Sequence, residues 1–368
     1  MVKRSSRLNL YLAACVVATF CATSLGAFPQ GVAASSTNAV RPRAIISRPR
    51  CAQNARAGVI TYVSPYGYDA SAGVLDVFVA SALGYFKDLC LDVSLQANAT
   101  DGTELVSAGR ATITGEGSAA DTLVQIANGA NITAIATFGD TSDYALLTEP
   151  SITKLTELEG KTIGYKTTMP VVLTEMLVKA GVDLRKVNEV SVGYDPDILV
   201  ENKVQGLQAY ETNEPLTLSA QHHAYREWLP SQFGVKGTFD VDVVNTNFLH
   251  DHEDAVADFL RAELHAFSYC ARFAAVCVGI EQRFANKGDE TYAYSHSLAE
   301  WRLEAALATK NTLLGKGVGV QSIAEWMPEE KALLRYGLER RTLDLSRAED
   351  IDLASALYVG TRLIWPSP

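Results

Sequence analysis

The feature that most constrains this chain is an alternation of short, β-branched apolar runs with segments of helical period, from Val59 to Asn245. Residues 59–63, 91–95, 113–114, 132–137 and 144–148 read as strands. Between the first two, Val74, Val77, Phe78, Ser81, Ala82 and Tyr85 recur at the spacing of one helix face. Asp101 with Glu104, and Ser118 with Asp121, resemble capped helix starts. Gly160-Lys161 turns into a strand over 162–165. Pro170 suits the first turn of a helix that Gly181 stops. Strands follow at 188–192, 206–210 and 240–245. Val256, Phe259, Leu260, Leu264 and Phe267 then mark one long amphipathic helix, and helices dominate to the C terminus. This order predicts an α/β fold with mostly parallel sheet covered by helices.

A chain of 368 residues has room for roughly two domains. With 48% hydrophobic and 20% charged residues, a packed core is expected rather than disorder. The formal net charge of −10 argues against nucleic acid as a partner, because an acidic body repels phosphate. It does not set the sign of a ligand, since a pocket can differ from the surface.

The N terminus reads as an export signal over residues 1–34. Lys3, Arg4 and Arg7 precede an uncharged, mostly apolar run over 8–27, and Val32-Ala33-Ala34 suits cleavage after Ala34. Two other readings stand beside it. The run approaches the ~20 residues a spanning helix needs, which fits an anchor. Leu12-Ala13-Ala14-Cys15 resembles a lipidation site, although more apolar residues follow Cys15. In each case the body lies outside the cytoplasm, in the envelope, the periplasm or the medium. Residues 35–57, with Arg41, Arg43, Arg48, Arg50, Arg56, Pro42 and Pro49, read as a solvated linker.

Four cysteines lie beyond the signal. An even number in an exported chain predicts disulfides, Cys270 with its near neighbour Cys277 and then Cys51 with Cys90; buried free thiols are the alternative. There is no Cys-x-x-Cys. No cluster completes a metal site around His222-His223 or His250-x-His252, so neither metal nor cofactor is expected.

Several segments together resemble a known family. Ala80 opens an apolar stretch that runs into Gly84-Tyr85-Phe86-Lys87-Asp88 and Leu91-Asp92-Val93. Gly160-Lys161-Thr162-Ile163-Gly164-Tyr165 comes next. Leu177-Val178-Lys179-Ala180-Gly181-Val182-Asp183 and Val192-Gly193-Tyr194-Asp195 follow, and then Tyr210-Glu211-Thr212-Asn213-Glu214-Pro215. In order and spacing these are similar to the NMT1/THI5-like solute-binding proteins of ABC importers, which are related to pyrimidine-precursor, riboflavin, sulfonate and nitrate binders, with the Thr-Asn-Glu-Pro step nearest the pyrimidine-precursor branch. The resemblance implies a two-lobed type II periplasmic-binding fold with a hinge and a ligand cleft. Lobe one would hold residues 58–146 and 245–368, and lobe two 147–244. The crossings would lie near 144–149 and 243–246. A small-molecule solute would bind at the carboxyl ends of the strands. An importer permease would be the partner, and the protein would act as a monomer.

Glu214 is the foremost site candidate. It follows a strand and precedes Pro215, which favours extended backbone and a carboxylate facing the cleft. The alternative is an acid at a helix start. Asn213 offers a donor and an acceptor, or a cap. Tyr66, Tyr68 and Asp69 follow the first strand, where rings can stack on a flat ligand or pack within the lobe. Ser118 begins a helix after Gly115-Glu116-Gly117, as an oxygen-binding site or a cap. Thr167 and Thr168, in Lys166-Thr167-Thr168-Met169, would face it from lobe two. Thr137, Thr141 and Ser142 lie near the first crossing.

The chain lacks a Gly-x-x-x-x-Gly-Lys-Ser/Thr loop and a Gly-x-Ser-x-Gly elbow, so neither ATP binding by such a loop nor a serine hydrolase is expected. The rival class is a pyrimidine-biosynthesis enzyme on the same fold. Its Cys-rich iron motif has no counterpart here, and the expectation is a protein without catalysis.

Overall fold

The computed structural model describes residues 45–97, 101–285 and 292–368. The expected signal peptide, Cys15 and residues 35–44 of the expected linker lie outside the described residues.

Strands β1 (Val59–Val63), β2 (Asp92–Gln96), β3 (Ile113–Glu116) and β4 (Ile132–Gly139) come first. Then follow β5 (Tyr144–Thr148), β6 (Thr162–Tyr165), β7 (Asn188–Ser191), β8 (Gly206–Tyr210), β9 (Arg226–Trp228) and β10 (Phe239–Asn245). They form two five-stranded sheets, ordered β2-β1-β3-β10-β4 and β7-β6-β8-β5-β9. β1 runs parallel to β2 and β3, and β6 runs parallel to β7 and β8. The exceptions are β10, antiparallel to β3 and β4, and β5, antiparallel to β8 and β9.

This topology moves the expected boundaries. Residues 144–149 and 243–246 are not crossings, because β5 and β10 occupy them as interior strands of lobe two and lobe one. The crossings lie instead at 140–143 and 234–238, between the sheets. The physical reason is burial: every residue of β4, β5 and β10 is buried, so no polar break marks where a lobe begins.

Lobe one packs helix Leu75–Leu83 and the 25-residue helix Thr246–Cys270 on its sheet. Phe78, Phe259 and Phe267 are almost wholly buried there, each a gain of roughly 1.5–3 kcal/mol. The long helix breaks its regular geometry at His252, with φ −139° and ψ 36°. At the end of β4, a Cβ on Gly139 would sit 1.9 Å from the Phe239 ring, so that close strand approach requires glycine. The C-terminal helix Ile323–Arg335 packs on both Ala119–Ala127 of lobe one and Val171–Lys179 of lobe two.

Two disulfides are formed, Cys51–Cys90 and Cys270–Cys277, with Cα separations of 5.2 and 5.5 Å. The first belongs to a segment expected to be solvated linker. Instead, Arg48–Arg56 is a helix capped by Ser47 and docked on lobe one. Arg50 Nε donates to Asp258 at 2.7 Å, and Asn54 Nδ2 donates to Asp258 and to the Leu89 carbonyl. The buried Asp258 carboxylate needs such partners, and this need converts an arginine-rich stretch into structure. No helix among the described residues is long and apolar enough to cross a membrane.

Candidate functional site

A cavity of about 750 Å³ lies between the two sheets and is lined from both lobes. Lobe one contributes the loop after β1 (Pro65, Tyr66, Gly67, Tyr68, Asp69 and Ser71), Ala97 after β2, and Asp240 in β10. Lobe two contributes Lys166 and Thr167 after β6, Tyr194 after β7, and Tyr210 to Glu214 at the end of β8, with Glu211 outside the lining. Asp143 lies in the first crossing. Tyr292, Glu300 and Glu304 come from the C-terminal region, the two glutamates from helix Tyr294–Ala308. Loops after parallel strands β1, β2, β6, β7 and β8 thus meet at the carboxyl ends of both sheets.

One ion pair is built into the wall. Lys166 donates from its ammonium to Glu214 Oε1, and both side chains are buried. The other Glu214 oxygen accepts from the Tyr210 backbone N–H at 2.8 Å. The ammonium also lies 4.4 Å from the Tyr210 ring centroid and 5.2 Å from that of Tyr194. Carboxylate and ring faces together hold this buried cation. Glu214 itself does not continue the extended segment expected from Pro215; it is the first residue of helix Glu214–Ala220, where Pro215 is well tolerated.

The remaining carboxyls of the wall have no such cation. Asp143 Oδ1, Asp240 Oδ2, Glu300 Oε2 and Glu304 Oε2 are buried and accept from no amide, ammonium or hydroxyl among the described residues. Asp69 pairs with Glu300 and Asp240 with Glu304, carboxyl to carboxyl, a contact that needs a proton between the two. Burial pushes Asp143, Asp240 and Glu300 well above the usual carboxylate range, and the neighbouring acids push further. Glu304 is raised by burial to about 7, although the Thr212 hydroxyl donates to its Oε1 at 2.6 Å.

Aromatic side chains frame the acids. Tyr210 stacks on Tyr144 at 5.1 Å and meets the edge of Tyr66 at 6.4 Å. The Tyr144 hydroxyl donates to Asp121 at 3.0 Å. A Cβ at Gly117 would lie 3.0 Å from the Tyr144 hydroxyl and 3.2 Å from that of Tyr66, so the glycine leaves room for both.

Among the residues expected from sequence, Glu214, Asn213, Tyr66, Tyr68, Asp69 and Thr167 line this cavity. Ser118, Thr168, Thr141 and Ser142 do not. The Ser118 hydroxyl donates to Asp121 and accepts from its backbone N–H, as a helix cap does. Thr168 is exposed. Thr141 bonds its neighbour Asp140. Ser142 accepts from the Tyr144 N–H and is buried against Gly237. Thr137 is spent on Gln321 and Trp326 in the core.

Sequence reasoning missed Asp143, Tyr194, Tyr210, Thr212, Asp240, Tyr292, Glu300 and Glu304 as wall residues. For the two glutamates a signal existed. Ser297, Glu300, Trp301 and Glu304 recur at three and four residues, which places two acids on the buried stripe of one helix. Among the described residues, no group of three or more His, Cys, Asp or Glu side chains is arranged to hold a metal ion.

The NMT1/THI5 like family matches residues 72–272, more than half of the chain. No curated protein matches the sequence. Among solved structures, the chain is similar to the periplasmic aliphatic sulphonate binding protein SsuA from Escherichia coli. The TM-score is 0.60 at 9% identity, over 84% of this chain and 96% of that one. The alkanesulfonate-binding protein SsuA from Xanthomonas axonopodis pv. citri, bound to MOPS, gives 0.57 at 12% identity over 79% and 98%. The desulfurization enzyme DSZB gives 0.52 at 11% identity over 81% and 98%. Two sheet-centred lobes joined by two crossings over a lined cleft, together with the family match, establish that this chain belongs to the NMT1/THI5-like family and has the type II periplasmic-binding fold.

Proposed function

We propose that this chain is the extracytoplasmic solute-binding component of an ABC importer, which captures one small polar or aromatic solute by closing its lobes. The observation that carries this reading is the 750 Å³ cavity walled from both lobes, a size suited to a small molecule. A hinge between two rigid sheets buries such a solute from both sides. The tyrosine walls and acceptor-rich rim fit a flat ring bearing N–H donors, in keeping with the pyrimidine-precursor branch. A permease takes the solute from the closed protein, a separate subunit hydrolyses ATP, and the binding protein acts as a monomer.

The chain acts outside the cytoplasm, delivered by residues 1–34, with lipidation at Cys15 as the minor route. Its two disulfides fit an oxidising compartment. The similarity to DSZB keeps an enzyme as the rival reading, the pyrimidine-biosynthesis type included. Against it, every described cysteine is tied in a disulfide, which leaves no described thiol as a nucleophile. Native mass spectrometry of the secreted protein after incubation with a solute mixture separates the two. Stoichiometric retention of an unchanged solute is expected, and turnover to a new mass would establish the enzyme.

A further inference from the structure

Resting on the solute-capture reading, we infer that the cleft selects organic cations, a charged amine or a positively charged nitrogen heterocycle, and rejects anions. Among the described residues, the wall carries six carboxyls, of Asp69, Asp143, Glu214, Asp240, Glu300 and Glu304, and one ammonium, that of Lys166. Lys166 is already matched by Glu214. Among the described residues, no arginine lines the cavity.

The other carboxyls are therefore a surplus of buried acceptors with no cation of their own among the described residues. Asp143 is 4% exposed, Glu300 1% and Glu304 3%, and each keeps a buried oxygen without a donor. Buried acceptors are ordinarily satisfied, so a group left over at a cleft wall points to a partner from outside. Water alone does not supply charge. A cation does, and it favours the ionised form of acids that burial holds neutral in the empty cleft.

The second observation is Lys166 itself. Its ammonium sits against one carboxylate and two tyrosine faces, at 4.4 Å from Tyr210 and 5.2 Å from Tyr194. The cleft thus already holds one cation, and it does so with the two kinds of group that line its remaining space. Tyr66 adds a further ring beside Asp143 and Asp240. A sulfonate or carboxylate entering the same space finds no unmatched cation and faces several acids. Burying a charge without a partner is strongly unfavourable. A divalent metal fits poorly, since no described cluster has ligand geometry and the cavity is far larger than an ion.

Three flat probes of similar size test this at neutral to slightly basic pH: 4-amino-1-methylpyridinium, neutral 4-aminopyrimidine and benzenesulfonate. Calorimetric titration of the full secreted protein should show the pyridinium binding at least about tenfold tighter than the neutral ring, and no binding of the sulfonate. Glu304→Gln and Asp143→Asn keep side-chain shape and remove a carboxyl that can ionise against a bound cation. Each should weaken the pyridinium by about tenfold while leaving the neutral ring within about threefold. Tightest binding of the sulfonate or of the neutral ring overturns the charge selection and leaves solute capture standing, as does a response to calcium or zinc alone. If none of the probes binds, the charge selection is overturned. If a wider charge-balanced library of small solutes is not retained either, the capture reading falls with it.

Discussion

Thr212, on the loop after β8, donates its hydroxyl to Glu304 of the C-terminal helix Tyr294–Ala308 at 2.6 Å, a bond between the tip of lobe two and the helix that closes the cavity wall. Its two residues must part when the lobes open. Thr212→Val keeps the volume and removes the donor. Solute affinity should then fall by about fivefold, the worth of one hydrogen bond of ~1 kcal/mol. Small-angle scattering should show a smaller radius of gyration with solute than without. An unchanged radius at saturation would rule out lobe closure.

Lys166 and Glu214 form the other decisive pair. Glu214→Gln leaves the Lys166 ammonium buried without its carboxylate, so the folded state should lose about 3–5 kcal/mol. The double variant Lys166→Met with Glu214→Gln should recover most of that loss. Denaturant titration of the single and double variants measures both. Equal stability of Glu214→Gln and the parent would show that the pair contributes nothing to the fold.

Stability should fall as pH rises. Glu304 is raised by burial to about 7 and Glu329 to about 8, the latter despite bonds from the Thr238 N–H and hydroxyl. A raised carboxyl is protonated in the folded chain while its unfolded counterpart has already ionised. Its contribution is full below the ordinary carboxylate range and is lost by about pH 8. Asp258 works in the opposite sense. Despite burial, hydrogen bonds from Arg50 and Asn54 hold it low, so its contribution is full above the ordinary carboxylate range and is lost only as pH falls below about 4. The thermal midpoint of the empty protein should therefore be higher at about pH 5.5 than at about pH 8.5. The reverse order would contradict neutral buried acids.

The disulfides should differ in weight. Cys51–Cys90 spans 39 residues and Cys270–Cys277 spans 7. Loop-closure entropy assigns about 4 kcal/mol to the first and about 2.5 kcal/mol to the second. Paired Cys→Ala variants compared by denaturant midpoint check the order. The first pair should also release the docked helix Arg48–Arg56 to proteolysis, because only that bridge ties it covalently to the β2 side of lobe one.

Much of the fold was legible because strand and helix periods are local. Residues 59–63 and 206–210 read directly as β1 and β8. The three-residue β9, Arg226–Trp228, carries two charges and no alternation, so no local period marks it. The reversal of β10 between β3 and β4 depends on pairing partners more than a hundred residues away, and no local pattern encodes it. The site divides in the same way. Tyr66, Asp69, Thr167 and Glu214 follow strands, where ligands gather in α/β folds, and were within reach of that rule. Glu300 and Glu304 sit mid-helix, and Asp240 near the start of an interior strand. The spacing of Glu300 and Glu304 with Trp301 marks a helix stripe, but only the tertiary fold turns that stripe, and Asp240, to the cavity.

The return of β10 also has a consequence for the order in which the chain assembles. All five strands of lobe two lie within residues 144–228, so its sheet is complete as soon as that stretch has emerged from the ribosome or the export channel. Lobe one must wait. Its fourth strand in sheet order arrives only with residues 239–245, and until then β3 and β4 have no partner between them. Two apolar strand edges stay open throughout that interval, and open edges invite pairing with other chains. The N-terminal half is thus the segment that most needs a holding chaperone during synthesis, although it is the first to be made.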